Sequence, residues 1–241
     1  MLKKFSDRIY YYEGEERTDR PYLYYIRGDW GSAVIDAGNS RRHVESFYAA
    51  LTEMGLPLPD YTVITHWHWD HTFGLPYVQG KTVASALTNQ KLRQVMGWVW
   101  TPEAMDAREK TGEDIAFCNR CIRIEYENLD EITVCPAQEE VEDRRTIDLG
   151  GVHLELFAAD SPHSRDSLYI YIPEEKALAV GDAACEDFYD NDGKFDPEKL
   201  RALLAFFQSL DFSFLLEGHC APEDREEMLV YLKEQLTTKG M

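Results

Sequence analysis

Four side chains able to hold a metal fall within six residues of this sequence: His66, His68, Asp70 and His71. They come directly after an apolar, strand-like segment, residues 61–65. Neutral imidazole and carboxylate are donors that suit zinc, iron or manganese. Ligands placed this densely can reach two adjacent metal ions, and two metals make a hydrolytic centre. Burying so many polar groups with no partner would be costly, which argues against a purely structural cluster.

The chain has seven histidines, at 43, 66, 68, 71, 153, 163 and 219. His163 lies in Asp160-Ser161-Pro162-His163-Ser164, a loop after a predicted strand, and His219 lies in Glu217-Gly218-His219-Cys220, again just past a strand. Asp182 follows Gly181 at the end of a strand predicted over 177–180. His66, His68, Asp70, His71, His163, Asp182 and His219 thus share one context, the C-terminal end of a strand or the loop beyond it. Open αβ sheets place ligands there. His43, on a predicted helix, and His153, inside a predicted strand, read as ordinary core or surface residues.

The elements that must position these groups can be drafted from periodicity. Residues 5–12, 21–27 and 32–35 read as strands, the last ending on the turn signal Asp36-Ala37-Gly38-Asn39. A helix is predicted over 41–54, with Val44, Phe47, Tyr48 and Leu51 on one face, Ser40 as N-cap and Gly55 as stop. After strands at 61–65 and 81–84 the pattern turns helical and polar, carrying Trp98, Trp100, Met105 and Phe117. Strands are predicted again at 131–134, 145–149, 152–158, 168–172, 177–180 and 212–216, with helices at 197–210 and 222–236. No internal repeat or low-complexity linker interrupts the chain. The expectation is a single domain, 1–241, with 87–130 a helical insertion forming a lid over the active site.

Bulk properties narrow the function classes. The 241 residues suffice for a well-buried core, and an apolar share of 44% is that of a globular protein. No apolar run approaches the ~20 residues of a membrane span, so no membrane association is expected. The N-terminus lacks the apolar stretch of a signal peptide, and the five cysteines are an odd number in a large chain. Both favour a cytoplasmic, reducing compartment. A formal net charge of −19 disfavours nucleic acid as a partner and leaves a small-molecule substrate. Oligomeric state is not legible.

The run His66-x-His68-x-Asp70-His71, followed by His163, Gly181-Asp182 and Gly218-His219, resembles the metallo-β-lactamase superfamily, with a metal site similar to that of glyoxalase II and lactonases. The resemblance extends from Val34-Ile35-Asp36-Ala37-Gly38 to the last histidine. It implies a four-layered αβ/βα sandwich of two mixed sheets with helices outside. It also implies that His66, His68 and His163 bind one divalent metal, that Asp70, His71 and His219 bind a second, and that Asp182 bridges them. Zinc is the favoured metal, with iron or manganese open. Two metals ~3.5–4 Å apart lower the pKa of a bridging water and give hydroxide at neutral pH. Asp70 would in addition orient that nucleophile or pass a proton.

Departures from the subfamilies prune the activities that the resemblance implies. The flavodiiron type has a glutamate where this chain has His68. True β-lactamases of the fold are usually exported and lack an aspartate like Asp182. Glyoxalase II carries a further helical region, whereas little more than one helix follows His219. The RNA-processing nucleases carry a basic arm not found here. What remains is a dinuclear hydrolase of a small carboxylic ester, thioester or lactone. Phosphodiester or phosphonate hydrolysis at the same site is the alternative, and a β-lactamase or a non-catalytic metal sensor ranks lower.

The tryptophans of the insertion motivate an acyl substrate, since an apolar lid suits an apolar tail. Trp98, Trp100 and Tyr189 are therefore candidate substrate-binding residues. Cys118-Asn119-Arg120-Cys121 has C-x-x-C spacing, but a single pair on one helical turn carries little weight. Asp190-Asn191-Asp192-Gly193 reads as a solvent turn, because aligning its glycine with a calcium loop puts Phe188 and Lys199 at ligand positions.

Overall fold

The computed structural model describes residues 1–238. Its central strands are apolar on both faces, which marks sheets buried from two sides. In β3 (Leu23–Arg27), Tyr24 and Ile26 point to one face while Leu23 and Tyr25 point to the other. The first sheet comprises β1 (Leu2–Lys4), β2 (Ile9–Tyr12), β3, β4 (Ser32–Ile35), β5 (Tyr61–Val63), β6 (Lys81–Ser85) and β7 (Glu139–Val141), in that spatial order. Pairing is antiparallel from β1 to β4 and parallel from β4 to β7.

The second sheet contains β8 (Arg144–Asp148), β9 (His153–Ala159), β10 (Ser167–Ile172), β11 (Ala177–Gly181), β12 (Phe214–Glu217) and β13 (Glu223–Asp224). It is antiparallel except where β11 runs parallel to β12. Ile26, Ile35, Val63 and Val83 of the first sheet share one core with Leu154, Leu168, Ile170 and Ala179 of the second. The sheets therefore pack face to face.

Helices cover the outer faces. Helix α1 (Arg41–Glu53) is capped by Ser40, whose side chain accepts from the His43 amide, and it buries Val44, Phe47 and Leu51 against Leu23, Tyr25 and Val34. The site turn forms α2 (Trp69–Thr72), and the long segment after β6 forms α3 (Ala86–Val95), α4 (Pro102–Thr111) and α5 (Ala116–Glu125). On the second sheet, α6 (Pro197–Ser209) starts from an Asp196 cap and Pro197, and α7 (Arg225–Thr238) follows β13. Leu200, Leu203, Phe207 and Leu232 of these helices pack on Leu178, Val180 and Leu215. The result is the predicted four-layered αβ/βα sandwich.

Two boundaries differ from the sequence reading. The strand predicted at 131–134 is a 3-10 turn, Leu129–Glu131, followed by unpaired chain. Ile132 and Val134 are buried against the helical insertion rather than in a ladder, and Pro136 offers no amide for one. The strand is β7 instead. Its polar Glu139 and Glu140 hide it from a hydrophobicity pattern, yet Lys81, Arg145 and Arg93 pair with them. The helix predicted from 222 begins at Arg225, because Glu223 and Asp224 first pair with Phe214 and Leu215.

Candidate metal centre

The parallel strands β4, β5 and β6 of one sheet, and β11 and β12 of the other, end at the same rim, and the polar groups gather there. Chain beyond β5 bends at Thr65 and Trp67, presenting His66 and His68, then turns into α2, which delivers Asp70 and His71. The Thr72 hydroxyl donates to the Trp67 and His68 carbonyls and closes this turn. Asp182 leaves β11 at a register shift between Ala179 and Gly181, where the bulge re-aims the chain. Gly181 has φ +56 and a Cβ there would lie 2.4 Å from Thr65 Oγ1, so only glycine lets β11 end against the His66 loop. At Gly218 a Cβ would lie 2.2 Å from Asp182 Oδ1, which keeps the backbone under His219 bare.

All seven sequence-predicted ligands converge, and they do so in two groups. Donor atoms of His66, His68 and His163 lie within 4.8 Å of one another, as do those of Asp70, His71, Asp182 and His219. In the first group His66 Nε2 and His163 Nε2 each approach His68 Nδ1 to 3.0 Å. In the second, Asp70 Oδ2 is 2.9 Å from His71 Nε2 and 3.1 Å from His219 Nε2. Asp182 Oδ2 is 3.4 Å from His71 Nε2, 3.3 Å from His219 Nε2 and 3.7 Å from His163 Nε2, so one carboxylate oxygen faces both groups.

The far side of each ring is held too. His163 Nδ1 donates to the Glu186 carbonyl at 2.8 Å, which leaves Nε2 with its lone pair toward the site. Thr65 Oγ1 lies 3.0 Å from His66 Nδ1. Asp36 was read only as part of a turn, and its role was missed. Its Oδ2 accepts from His71 Nδ1 at 2.8 Å while Oδ1 accepts from the Thr65 amide and hydroxyl. Asp36 has φ +66, so the turn signal and the site brace are the same residue. Partners of this kind fix tautomer and ring orientation, and their loss costs about 10–100-fold in metal affinity or activity. Asp36→Ala should lower both by that range, and Asp36→Asn by less. Metal titration with a rate measurement checks it, and unchanged affinity in Asp36→Ala would reduce Asp36 to a loop brace.

Whether these residues fit a metal can be judged from two orphaned atoms. His71 Nε2 and Asp182 Oδ1 are buried without a hydrogen bond, although His71 Nε2 has carboxylate oxygens close by. A buried donor set with unmatched nitrogens and oxygens is what a cation would satisfy. The donors are all nitrogen and oxygen, which zinc, iron and manganese accept.

Charge divides the groups. Burial, reinforced by neighbouring imidazoles, holds His66 and His68 well below the ordinary histidine value. Burial also opposes charge on His71 and His219, but Asp70 and Asp182 outweigh it and raise both. Those imidazoles in turn overcome burial and hold Asp70 and Asp182 low. In the metal-free protein the raised histidines stabilise the fold fully below about pH 6.5, and that contribution fades as pH climbs through their folded values. The lowered aspartates contribute above about pH 3.9, and their share fades as pH falls through their folded values. Binding a cation at the second group must expel the His71 and His219 protons, so affinity there should rise with pH across the neutral range. Calorimetry of metal uptake in buffers of different ionisation enthalpy should register net proton release, and proton-neutral uptake would contradict this charge pattern.

A cavity of about 310 Å³ opens beside His68 and His163. Leu87, Gln90, Lys91 and Gln94 of α3, the Gly112–Glu113 turn and Tyr189 line it. The Tyr189 ring lies 4.9 Å from the His68 ring, and its hydroxyl donates to Asp114. Trp98 and Trp100 are placed differently from expectation and do not line this cavity. They lie against each other at a tilt, with Phe73 edge-on to Trp100, half-buried against the apolar cluster beneath the insertion. The Arg108 guanidinium touches both indole faces, which ties the pair to α4. Cys118 and Cys121 are buried free thiols in the same cluster. The lining that sequence reading missed is polar, with Lys91 and Arg165 among it.

A family model for the metallo-beta-lactamase superfamily matches residues 18–219. No curated protein matches the chain by sequence. Solved structures do. A metallo-beta-lactamase from Pontibacter korlensis is 18% identical with a TM-score of 0.66, over 99% of each chain. DIM-1 metallo-beta-lactamase is 17% identical with a TM-score of 0.66, over 99% of this chain and 97% of that one. The stereoselective inverting sec-alkylsulfatase Pisa1 from Pseudomonas sp. is 16% identical with a TM-score of 0.69, over 98% of this chain and 40% of that one. At these identities the structural likeness speaks for the fold alone.

Proposed function

The chain belongs to the metallo-beta-lactamase superfamily of metal-dependent hydrolases, and we propose that it hydrolyses an ester-type bond in a small molecule at a pair of divalent metals. The observation that carries this reading is the single Asp182 oxygen facing both histidine groups. His66, His68 and His163 would hold one metal and Asp70, His71 and His219 the other, with Asp182 between them. When bound, such a pair supplies Lewis acidity and a water of lowered pKa. The chain's part is to aim these groups through Thr65, Asp36 and Glu186, and to offer the Asp70 carboxylate as a proton acceptor near the reacting atoms. Segment 87–130 acts as the cavity wall and lid.

A carboxylic ester, thioester or lactone is the first substrate class. Asp182 and the five free cysteines, which suit a reducing cytoplasm, weigh against the β-lactam chemistry in the names of two structural neighbours. The tryptophan argument for an apolar acyl tail loses its footing, because Trp98 and Trp100 pack against Arg108 and do not line the cavity. Phosphodiester or phosphonate hydrolysis stays in view for a specific reason: the cavity is polar and carries Lys91 and Arg165. A panel of p-nitrophenyl esters, thioesters, lactones and phosphodiesters, assayed on zinc- or manganese-loaded protein, decides between them. Turnover of the acyl compounds is expected. Phosphodiesterase activity alone would overturn the preference.

A further inference from the structure

The cavity beside His68 carries charge that the fold does not use. Lys91 is half-buried, and its ammonium lies 4.5 Å from the centre of the Trp67 ring, which in turn lies 4.8 Å from the His68 ring. Trp67 thus pins a cation to the wall nearest the first ligand group. Arg165, exposed and two residues past His163, lines the same cavity. Among the described residues neither cation forms an ion pair, whereas Arg93, two residues along on the helix of Lys91, pairs with Glu140.

Four carboxylates also line the cavity, and among the described residues none of them forms an ion pair with Lys91 or Arg165. Asp166 is buried and accepts from the Thr88 and Ser164 hydroxyls. Asp187 accepts from the Tyr189 and Asp190 amides. Glu113 and Asp190 are exposed and keep their hydration. Two singly charged donors with solvated acids nearby suit a monoanion better than a doubly charged phosphate. Arginine's planar fork matches a carboxylate in particular.

We infer that Lys91 and Arg165 form a subsite for a carboxylate that the substrate carries a few bonds from its scissile bond. This rests on the hydrolase reading above and narrows its substrate class. The subsite lies on the side of His68 and His163, so the substrate's anionic tail points along α3 while its reacting end faces Asp182.

The test uses zinc-loaded protein and matched probes. Mono-p-nitrophenyl glutarate and p-nitrophenyl pentanoate share a leaving group and differ in a terminal carboxylate. The glutarate ester should have the higher kcat/KM by about tenfold at low salt, a size expected of charge-assisted hydrogen bonds. Lys91→Met with Arg165→Gln should abolish that preference through KM while leaving turnover of the pentanoate ester unchanged, and added salt should shrink it. Binding of glutaranilic acid against its methyl ester, followed by calorimetry, reads the same preference without turnover. Equal handling of charged and neutral probes, or a preference that survives in the double variant, would overturn the subsite. Binding preference for the anilide with no hydrolysis of any ester would keep the subsite and remove the ester reading.

Discussion

Asp182→Ala is expected to abolish measurable turnover and to leave the protein with fewer than two bound metals per chain. The carboxylate is buried, and its Oδ2 stands within 3.3–3.7 Å of His71, His163 and His219. Removing it takes a ligand from both groups at once and leaves two raised imidazoles with Asp70, Asp36 behind His71 and Asp19 beside His219 to balance them. Loss of an outer-shell partner costs about 10–100-fold, and loss of a shared ligand should exceed that, so a fall of more than about 100-fold in rate is expected. Metal analysis of the purified variant separates the possible causes. Full occupancy at both groups with lost activity would refute the bridging role and make Asp182 a proton carrier only.

Stripping the metals by chelation should cost stability as well as activity. Any ligand that binds only the folded chain stabilises it by RT ln(1 + [L]/Kd), about 4 kcal/mol at a thousandfold excess over Kd. A domain of this size moves by roughly 2–4 °C per kcal/mol, so a drop of about 8–16 °C in Tm is expected for one such site. The drop should shrink toward acid pH, because metal uptake must expel the His71 and His219 protons and so weakens as pH falls. Differential scanning with and without chelator, at several pH values, checks both size and sign. A Tm indifferent to chelation would mean that the cluster is stabilised by its own ion pairs.

The seven converging residues were legible because each lies at a strand's end, where side chains of successive strands meet, and four of them crowd into one turn. The layered fold was legible through the resemblance that the ligand motifs carry, and apolar strands such as β3, whose odd and even residues serve different cores, agree with it. Asp36 was not, because an aspartate before alanine and glycine signals a turn whether or not its carboxylate also holds a histidine. Strand β7 escaped because its strength lies in ion pairs at Glu139 and Glu140 and not in apolar alternation. Trp98 and Trp100 looked like a lid since sequence gives no hint that the buried Arg108 touches both and ties them away from the cavity. Lys91 and Arg165 carry no periodic mark at all, and only the closing of α3 and the His163 loop around one cavity sets them apart.

The central claim is that His66, His68 and His163 hold one metal, that Asp70, His71 and His219 hold another, and that Asp182 joins them. Metal analysis of the chain, reconstituted with zinc and freed of excess, tests it most directly. About two zinc ions per chain, falling when Asp182 or His163 is replaced, is the result expected of a two-metal centre. No retained zinc after reconstitution would contradict the account.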